Sequence, residues 1–135
     1  MFVRVPAQQR SRVGGNEGRL AGWICWGPTP CTLGTYDLYW MAVDPARHGL
    51  GIGTALIGEM ERQLSGVARL VVVETAGRPD YRATRAFYQA RGYHRTAVIP
   101  DFYAPGDDQV VYVKVLPVIP SPARDLLSRG STSAA

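Results

Sequence analysis

One stretch of the sequence has the glycine spacing that anion binding requires. Gly49, Gly51 and Gly53 alternate with apolar residues, and a helical pattern of apolar residues begins at Thr54. Glycine lets backbone N–H groups approach an anion closely, and the N-terminus of a helix adds partial positive charge. A pyrophosphate is therefore the ligand that this loop would suit. The donors would be the backbone amides of His48, Gly49, Leu50, Gly51, Ile52, Gly53 and Thr54.

Three interpretations of the loop are open: a dinucleotide-binding turn, a loop for the pyrophosphate of an acyl-CoA, and a structural turn without a ligand. The dinucleotide turn needs Gly or Ala three residues after its second glycine, where this chain has Thr54 or Leu56. That turn also follows its strand directly, whereas residues 44–48 intervene here. Only Glu74, an acid at the end of the next apolar run, suits the dinucleotide interpretation, which is therefore the least favoured.

Composition and charge narrow the classes of function. A chain of 135 residues with 46% hydrophobic and 19% charged residues is typical of one globular domain. Its two cysteines and two histidines lack the close spacing of metal ligands, so we predict no metal site. The net charge of +4 suits a polyanionic partner, but the arginines are scattered rather than clustered with aromatic residues. Nucleic-acid binding is therefore not predicted.

Two features bear on location. The longest stretch without a charged residue, residues 20–36, is too short for a membrane span and contains two prolines. The first residues lack the apolar segment and cleavage site of a secretory signal. The sequence therefore predicts a cytoplasmic protein without a membrane partner.

The loop must be positioned by regular elements on both sides. Residues 20–27 and 35–43 are short, aromatic and β-branched, which is typical of strands. Residues 54–64 carry apolar side chains at helical spacing, and residues 70–74 form an apolar run typical of a strand covered on both faces. Alternation along the second strand would put Tyr36, Leu38, Trp40 and Ala42 on one face and Asp37, Tyr39, Met41 and Val43 on the other.

The remaining pattern completes an α/β arrangement. A second helix is predicted to begin near Asp80, a good N-cap, and to end at Gly92. Two final strands are predicted at residues 93–99 and 109–116, joined by a loop over residues 100–108.

Three segments make up the predicted organisation. Residues 1–19 form an N-terminal segment of weak structure or an edge hairpin, residues 20–116 form the domain, and residues 117–135 form a disordered tail. The hairpin bend would lie at the glycine-rich residues 14–18.

Two motifs in this order resemble the GNAT superfamily of acetyl-CoA-dependent N-acetyltransferases. The first is Arg or Gln, two residues, Gly, one residue, and Gly or Ala, which residues 48–53 match with His in the first place. The second ends a helix with an aromatic residue and Tyr, three residues, Gly and an aromatic residue, which residues 87–93 match. The forms Tyr-x-x-Thr-Arg-x-Phe-Tyr and Asp-Phe-Tyr-x-x-Gly-Asp-Asp resemble one subgroup of that superfamily. The resemblance implies a mixed, mostly antiparallel central sheet flanked by helices.

The resemblance also implies roles for individual residues. The backbone of Met41, Ala42 and Val43 would lie along the pantetheine arm of acetyl-CoA, and loop amides would hold its pyrophosphate. Thr84 and Phe87 would lie on the cofactor side of their helix. Tyr88 matches the tyrosine that donates a proton to the departing CoA thiolate; the alternative is a core tyrosine on an apolar helix face.

The sequence gives weaker indications of the residues that would bind the acceptor amine. Glu74 is the first choice for the base, directly or through a water, although a solvated strand-end carboxylate is an equal alternative. Tyr39, Trp40 and Tyr103 could wall a cleft, and the acids Asp101, Asp107 and Asp108 could attract a cationic amine. Otherwise the aromatics are core residues and the acids belong to a turn.

Together these expectations describe an enzyme that transfers acetyl from acetyl-CoA to a primary amine, of a small molecule or a peptide N-terminus, by direct attack. The first strand and two helices usual in the superfamily have no counterpart before residue 20. We therefore also consider an N-terminally truncated domain, a homodimer in which a second subunit covers that face, and a catalytically inactive CoA-binding or protein-interaction module.

Overall fold

The computed structural model describes residues 2–6, as backbone, and residues 20–117. Its strands are β1 (Phe2–Pro6), β2 (Leu20–Pro28), β3 (Thr35–Val43), β4 (Leu70–Ala76), β5 (His94–Ala104) and β6 (Asp107–Val115), and its helices are α1 (Ile52–Leu64) and α2 (Arg82–Ala90). The predicted bend at residues 14–18 and nearly all of the predicted tail lie outside the described residues.

The six strands form one mixed sheet in the order β1-β2-β3-β4-β6-β5. Every neighbouring pair is antiparallel except β3 and β4, which run parallel. The predicted mixed, mostly antiparallel α/β fold is confirmed. A dinucleotide-binding domain would instead need a doubly wound parallel sheet, so the fold opposes that interpretation of the glycine loop.

Strands β3 and β4 separate after a short paired stretch. Their pairing runs only from Thr35 opposite Leu70 to Leu38 opposite Val73. Beyond that point β3 pairs with β2 alone, and β4 continues along β6. The sheet therefore opens into a cleft between residues 39–43 and the end of β4.

A β-bulge marks the point of separation. Leu38 is opposite Trp26 and Trp40 is opposite Cys25, so Tyr39 is an extra residue in β3 without a partner in β2. The extra residue shifts the alternation of side chains along the strand. Tyr39 and Trp40 are consequently both exposed, at 48% and 69%, and the strict alternation predicted for residues 35–43 is wrong beyond Leu38.

Helix α1 packs on the sheet through its predicted apolar face. Its buried residues are Ile52, Leu56, Ile57, Met60 and Leu64. The close approach depends on Gly22 in β2, because a Cβ there would lie 2.8 Å from the Ala42 carbonyl oxygen and 3.1 Å from Leu56 Cδ1. The N-terminus of α1 is thereby held beside the end of β3.

The start of α2 differs from the prediction. A short 3-10 turn, Pro79–Tyr81, precedes the helix, and Tyr81 occupies the N-cap position without a side-chain hydrogen bond. Asp80 is therefore not the cap; its Oδ1 lies 3.3 Å from Arg78 Nε. Arg85 instead fastens the helix, because its guanidinium donates to the carbonyls of Ala76 and Arg78 at 2.7 and 2.9 Å.

Residues 100–108 are mostly strand, and the loop predicted there is wrong. Strand β5 extends to Ala104 and β6 starts at Asp107, so the turn is confined to residues 105–106. A bulge interrupts the regular alternation of this strand, so the sequence did not reveal it. The register shifts between Ile99 and Ala104, and Asp101 has φ of 55°. The Asp101 carboxylate accepts the amide N–H of Gly106 at 2.7 Å, which stabilises this turn.

Candidate active site

The cleft between β3 and β4 contains a cavity of about 750 Å³. Its walls come from β3, β4, α2 and the β5–β6 hairpin. Of the residues predicted for the site, those that line it are Tyr39, Trp40, Met41, Glu74, Thr84, Tyr88 and Tyr103. The structure therefore brings both predicted catalytic residues to one cavity, although they lie 14 positions apart in the sequence.

Tyr88 is the most buried of these side chains, with only 4% of its surface exposed. Its ring makes edge-to-face contacts with Phe87 and Tyr93, at centroid distances of 5.4 and 5.7 Å. Burial raises the pKa of Tyr88 to about 12. The phenol therefore stays protonated at neutral pH, and its hydroxyl has no hydrogen-bond partner among the described residues. It remains a donor available to a group in the cavity.

Glu74 lies on β4 opposite Val111 of β6, and its side chain is exposed to the cavity. The residues on either side of it in the chain, Val73 and Thr75, are buried. Within residues 20–117 the Glu74 carboxylate has no ion-pair partner, so it is available to accept a proton.

The glycine loop ends in an uncapped helix N-terminus. Gly51 has φ of 74° and precedes α1 at the N-cap position, where no side chain caps the helix. The first hydrogen bond of the helix runs from the amide of Ala55 to the carbonyl of Gly51. In the part of the chain described here, the amides of Ile52, Gly53 and Thr54 consequently have no acceptor, which leaves three donors at the positive end of a helix dipole.

The first half of the loop is less available than predicted. A short 3-10 turn, Pro45–Arg47, is stabilised by the Asp44 carboxylate, which accepts the Ala46 amide at 3.0 Å. The amides of His48 and Leu50 already donate to the carbonyls of Pro45 and Arg47, both at 3.4 Å. The His48 ring is engaged as well, since its Nε2 lies 3.3 Å from the Val43 carbonyl oxygen.

Side chains from α2 and its C-cap reach the N-terminal turn of α1. A Cβ on Gly53 would lie 3.2 Å from Phe87 Cζ and 3.9 Å from Val43 Cγ2, so residues from β3, α1 and α2 converge at this glycine. Arg91 donates two hydrogen bonds to Thr54 Oγ1, at 3.0 and 2.6 Å, and its guanidinium lies 4.8 Å from the Phe87 ring centre. This cation beside the free amides was not assigned a role from the sequence.

The predicted acceptor residues are only partly brought together. The Tyr39 ring rests on β2, where a Cβ on Gly27 would lie 2.8 Å from its hydroxyl oxygen. Tyr103 lines the cavity and contacts Phe102 edge to face at 4.9 Å. Asp101 is not a lining residue, because its carboxylate is used in the hairpin turn.

The charged and aromatic lining residues not yet named are Asp37, Arg78, Tyr81 and Asp107. Asp37 shares β3 with the predicted aromatics, and Arg78 and Tyr81 flank the start of α2. Of the three acids expected to attract a cationic amine, Asp107 alone is a lining residue. No local sequence signal distinguishes it from Asp108, since the register of the hairpin decides which of them faces the cavity.

A splayed mixed sheet, a glycine loop opening a helix, and an aromatic-Tyr helix end together define an acetyltransferase fold. Residues 9–95 match the family described as Acetyltransferase (GNAT) domain, which is more than half of the chain. The chain therefore belongs to the GNAT acetyltransferase family.

Two relatives support this assignment. An uncharacterized N-acetyltransferase of Methanocaldococcus jannaschii is 29% identical over 106 residues, which are 75% of this chain and 63% of the relative. A GNAT-family protein of known structure from Desulfovibrio desulfuricans is 41% identical, with a TM-score of 0.73 over 76% of this chain and 65% of its own. This chain thus spans slightly less than two thirds of the length of each relative.

A third comparison concerns the fold alone. An aminoglycoside 6'-N-acetyltransferase, solved in complex with coenzyme A, is 19% identical, with a TM-score of 0.67 over 90% of this chain and 75% of that one. The helices of the described residues lack the length and hydrophobicity that a membrane-spanning helix needs. Residues 2–6 and 20–117 also contain no group of three or more His, Cys, Asp or Glu side chains placed to hold a metal ion.

Proposed function

We propose that this protein transfers the acetyl group of acetyl-CoA to a primary amine, of a small molecule or a peptide N-terminus, by direct attack. The observation that carries the proposal is the shared cavity of Glu74 and Tyr88, at the point where β3 and β4 separate. Membership of the GNAT family supports acetyl transfer as the class of reaction.

The residues present fit coenzyme A on two counts. Beyond the bulge, residues 39–43 pair with β2 only, so their other backbone edge is free to hydrogen-bond an extended arm. The free amides of Ile52, Gly53 and Thr54 would hold the pyrophosphate, with Arg91 adding positive charge beside them. Met41, Ala42 and Val43 would contact the pantetheine arm, and Thr84 and Phe87 would flank it.

Glu74 would accept a proton from the acceptor amine, directly or through one water. The amine nitrogen forms a bond to the thioester carbonyl carbon, the carbon–sulfur bond breaks, and the electron pair leaves with the CoA sulfur. A backbone N–H of residues 41–43 would stabilise the negative charge that develops on the carbonyl oxygen. Bound acetyl-CoA would supply the activated thioester. The chain would supply the base and the hydrogen-bond donors, and it would hold the two reactants in place.

Tyr88 would donate a hydrogen bond to the departing sulfur. A thiol has a pKa of about 8.5, whereas burial raises the pKa of Tyr88 to about 12. Complete proton transfer from the phenol to the thiolate is therefore uphill. The raised pKa favours a neutral phenol that stabilises the thiolate as it forms, with the final proton coming from solvent.

The test is release of CoA thiol by the full chain with acetyl-CoA and a panel of primary amines, together with the product mass. We expect CoA release that depends on the amine and a product heavier by one acetyl group. Binding of CoA, seen as a thermal shift with NAD as the control, without amine-dependent release would favour the catalytically inactive module. A shift with NAD alone would contradict the proposal entirely.

A further inference from the structure

The only lysine of the chain, Lys114 on β6, connects three elements of the fold. Its Nζ donates to Glu61 Oε1 of α1 at 2.9 Å and to the backbone carbonyl of Arg91 at 2.8 Å. Arg91 is the C-cap of α2, so the ammonium also lies at the negative end of a helix dipole. This lysine therefore ties β6 to α1 and to the last turn of α2.

The carboxylate of this ion pair accepts from a second donor. Glu61 Oε1 also accepts the hydroxyl of Tyr93 at 3.0 Å, and Lys114 Nζ lies 5.4 Å from the centre of the Tyr93 ring. Tyr93 is 1% exposed, and burial together with the Glu61 carboxylate raises the pKa of its phenol, which stays the donor. The side chains of Lys114 and Glu61 are themselves only 25% and 23% exposed. The three side chains therefore form one partly buried cluster, unlike a solvated surface pair.

These contacts reach Tyr88 by two routes. Along the backbone, the Tyr88 carbonyl accepts the amides of Arg91 and Tyr93 at 3.0 and 3.1 Å, and Lys114 in turn holds the Arg91 carbonyl. Through side chains, the Tyr93 ring packs edge to face on the Tyr88 ring at a centroid distance of 5.7 Å. The hydroxyl of Tyr93 is anchored on Glu61. One ion pair therefore holds both the turn that follows Tyr88 and the ring beside it.

We infer that Lys114 and Glu61 are positioning residues for the transfer reaction and act through Tyr88. Their ion pair would keep the Tyr88 hydroxyl in the cavity at the place from which it donates to the departing sulfur. Neither Lys114 nor Glu61 is among the described residues that line the cavity, so neither touches the reacting atoms. The inference rests on the proposed function, which gives Tyr88 its role, and adds what holds that residue in place.

The test is the effect of Lys114→Met on kcat in two backgrounds, the unmodified chain and Tyr88→Phe. In the unmodified chain we expect kcat to fall by about 10-fold, while the Kd for CoA stays within about 3-fold. The Kd is retained because Thr54 holds the Arg91 guanidinium separately. In Tyr88→Phe the same substitution should change kcat by less than about 2-fold, because the group to be positioned is already absent. A pair that only stabilises the fold would lower kcat by the same factor in both backgrounds, and that result would overturn the inference.

Arg62→Met is the matched control, because it removes the cation of another ion pair of α1. Arg62 is exposed and donates to Glu59 of the same helix, so the substitution leaves the contacts of Lys114 intact. We expect kcat and the Kd for CoA to stay within about 2-fold of the unmodified protein. A fall in kcat equal to that of Lys114→Met would count against the inference.

A second variant keeps the inference testable if Lys114→Met does not fold, because that substitution leaves the Glu61 carboxylate without its cation. Glu61→Met combined with Lys114→Met replaces both charges by apolar side chains, a change that is often neutral for stability. Its effect on kcat is compared in the same two backgrounds. We expect the same loss in the unmodified chain and the same absence of a loss in Tyr88→Phe.

A measurement without turnover separates this inference from the proposed function. If no amine is acetylated, the proposed function fails, and NMR of the full chain with isotope-labelled tyrosine decides the positioning claim. The ring signal of Tyr88 is identified by its absence from Tyr88→Phe. A signal that moves or broadens in Lys114→Met and stays in place in Arg62→Met would support the role of the ion pair. A signal that is unchanged in Lys114→Met, or moves equally in both variants, would overturn it.

Discussion

The two sides of the cleft are built from different chemistry. On the proposed cofactor side, the free groups are backbone amides at the start of α1 and the unpaired backbone edge of residues 39–43. On the proposed acceptor side, the available groups are side chains, chiefly Glu74 and Tyr88. A backbone N–H group remains a donor when the side chain of its residue changes. A site made of side chains changes its chemistry with each substitution. We therefore expect the proposed cofactor site to tolerate substitutions better than the proposed acceptor site.

The largest effect should follow from replacing Glu74, the proposed base. In Glu74→Gln the side chain keeps its size but loses the ability to accept a proton, so we expect kcat to fall by about 10²- to 10⁴-fold. The affinity for CoA, measured by calorimetry, should stay within about 2-fold because Glu74 lies outside the glycine loop. An unchanged kcat would show that Glu74 is only a solvated strand-end residue.

A smaller effect is expected on the cofactor side. In Gly53→Ala the new Cβ would lie 3.2 Å from Phe87, so the ring and the backbone must shift. We expect the Kd for CoA to rise by about 3- to 10-fold, as for an overpacked site that costs about 1 kcal/mol. The measurement is a CoA titration by calorimetry.

Gly58→Ala serves as the control for this change, since Gly58 lies in the same helix and a Cβ there meets no atom within 4 Å. It should leave the Kd unchanged and stabilise the helix by about 0.5–1 kcal/mol. Equal CoA affinity in the two variants would show that the glycine loop does not contribute to CoA binding.

The smallest effect concerns stability at high pH. Burial raises the pKa of Tyr88 to about 12 from 10.0, so the unfolded chain loses this proton first. The protonated phenol contributes fully to the free energy of unfolding below pH 10. This contribution is lost between about pH 10 and 12, at up to about 1.4 kcal/mol per pH unit. Denaturant unfolding of the unmodified protein should show this loss, and Tyr88→Phe should show a shallower fall. Identical slopes would mean that the phenol is solvated.

The sequence predicted the place of the glycine loop better than it predicted which residues line the cavity, for a physical reason. Positive φ at Gly51 and close approach at Gly53 are local requirements that leave a signature of glycines. The bulge at Tyr39 and the register that turns Asp107 rather than Asp101 into the cavity depend on pairing between distant segments. Alternation within one segment cannot reveal such a shift, because one extra residue exchanges the two faces of a strand.

The position of α2 also depends on contacts between distant segments, which the sequence does not reveal. Glu74 and Tyr88 were identified from the end of an apolar run and from a family motif, but their meeting in one cavity depends on Arg85 fastening α2 to the end of β4. Asp80, a good N-cap by type, is displaced from the cap by the 3-10 turn that begins at Pro79. Residue propensity predicted a helix that begins near Asp80. Tertiary contacts determine that it begins at Arg82.

The most direct test of the central claim is the turnover number of Tyr88→Phe beside its melting temperature. Because the buried hydroxyl has no partner among the described residues, its removal should leave the melting temperature unchanged or slightly higher. The loss of one donor to the departing thiolate should lower kcat by about 10²- to 10³-fold with CoA affinity retained. Full turnover with a lowered melting temperature would contradict the account and make Tyr88 a packing residue.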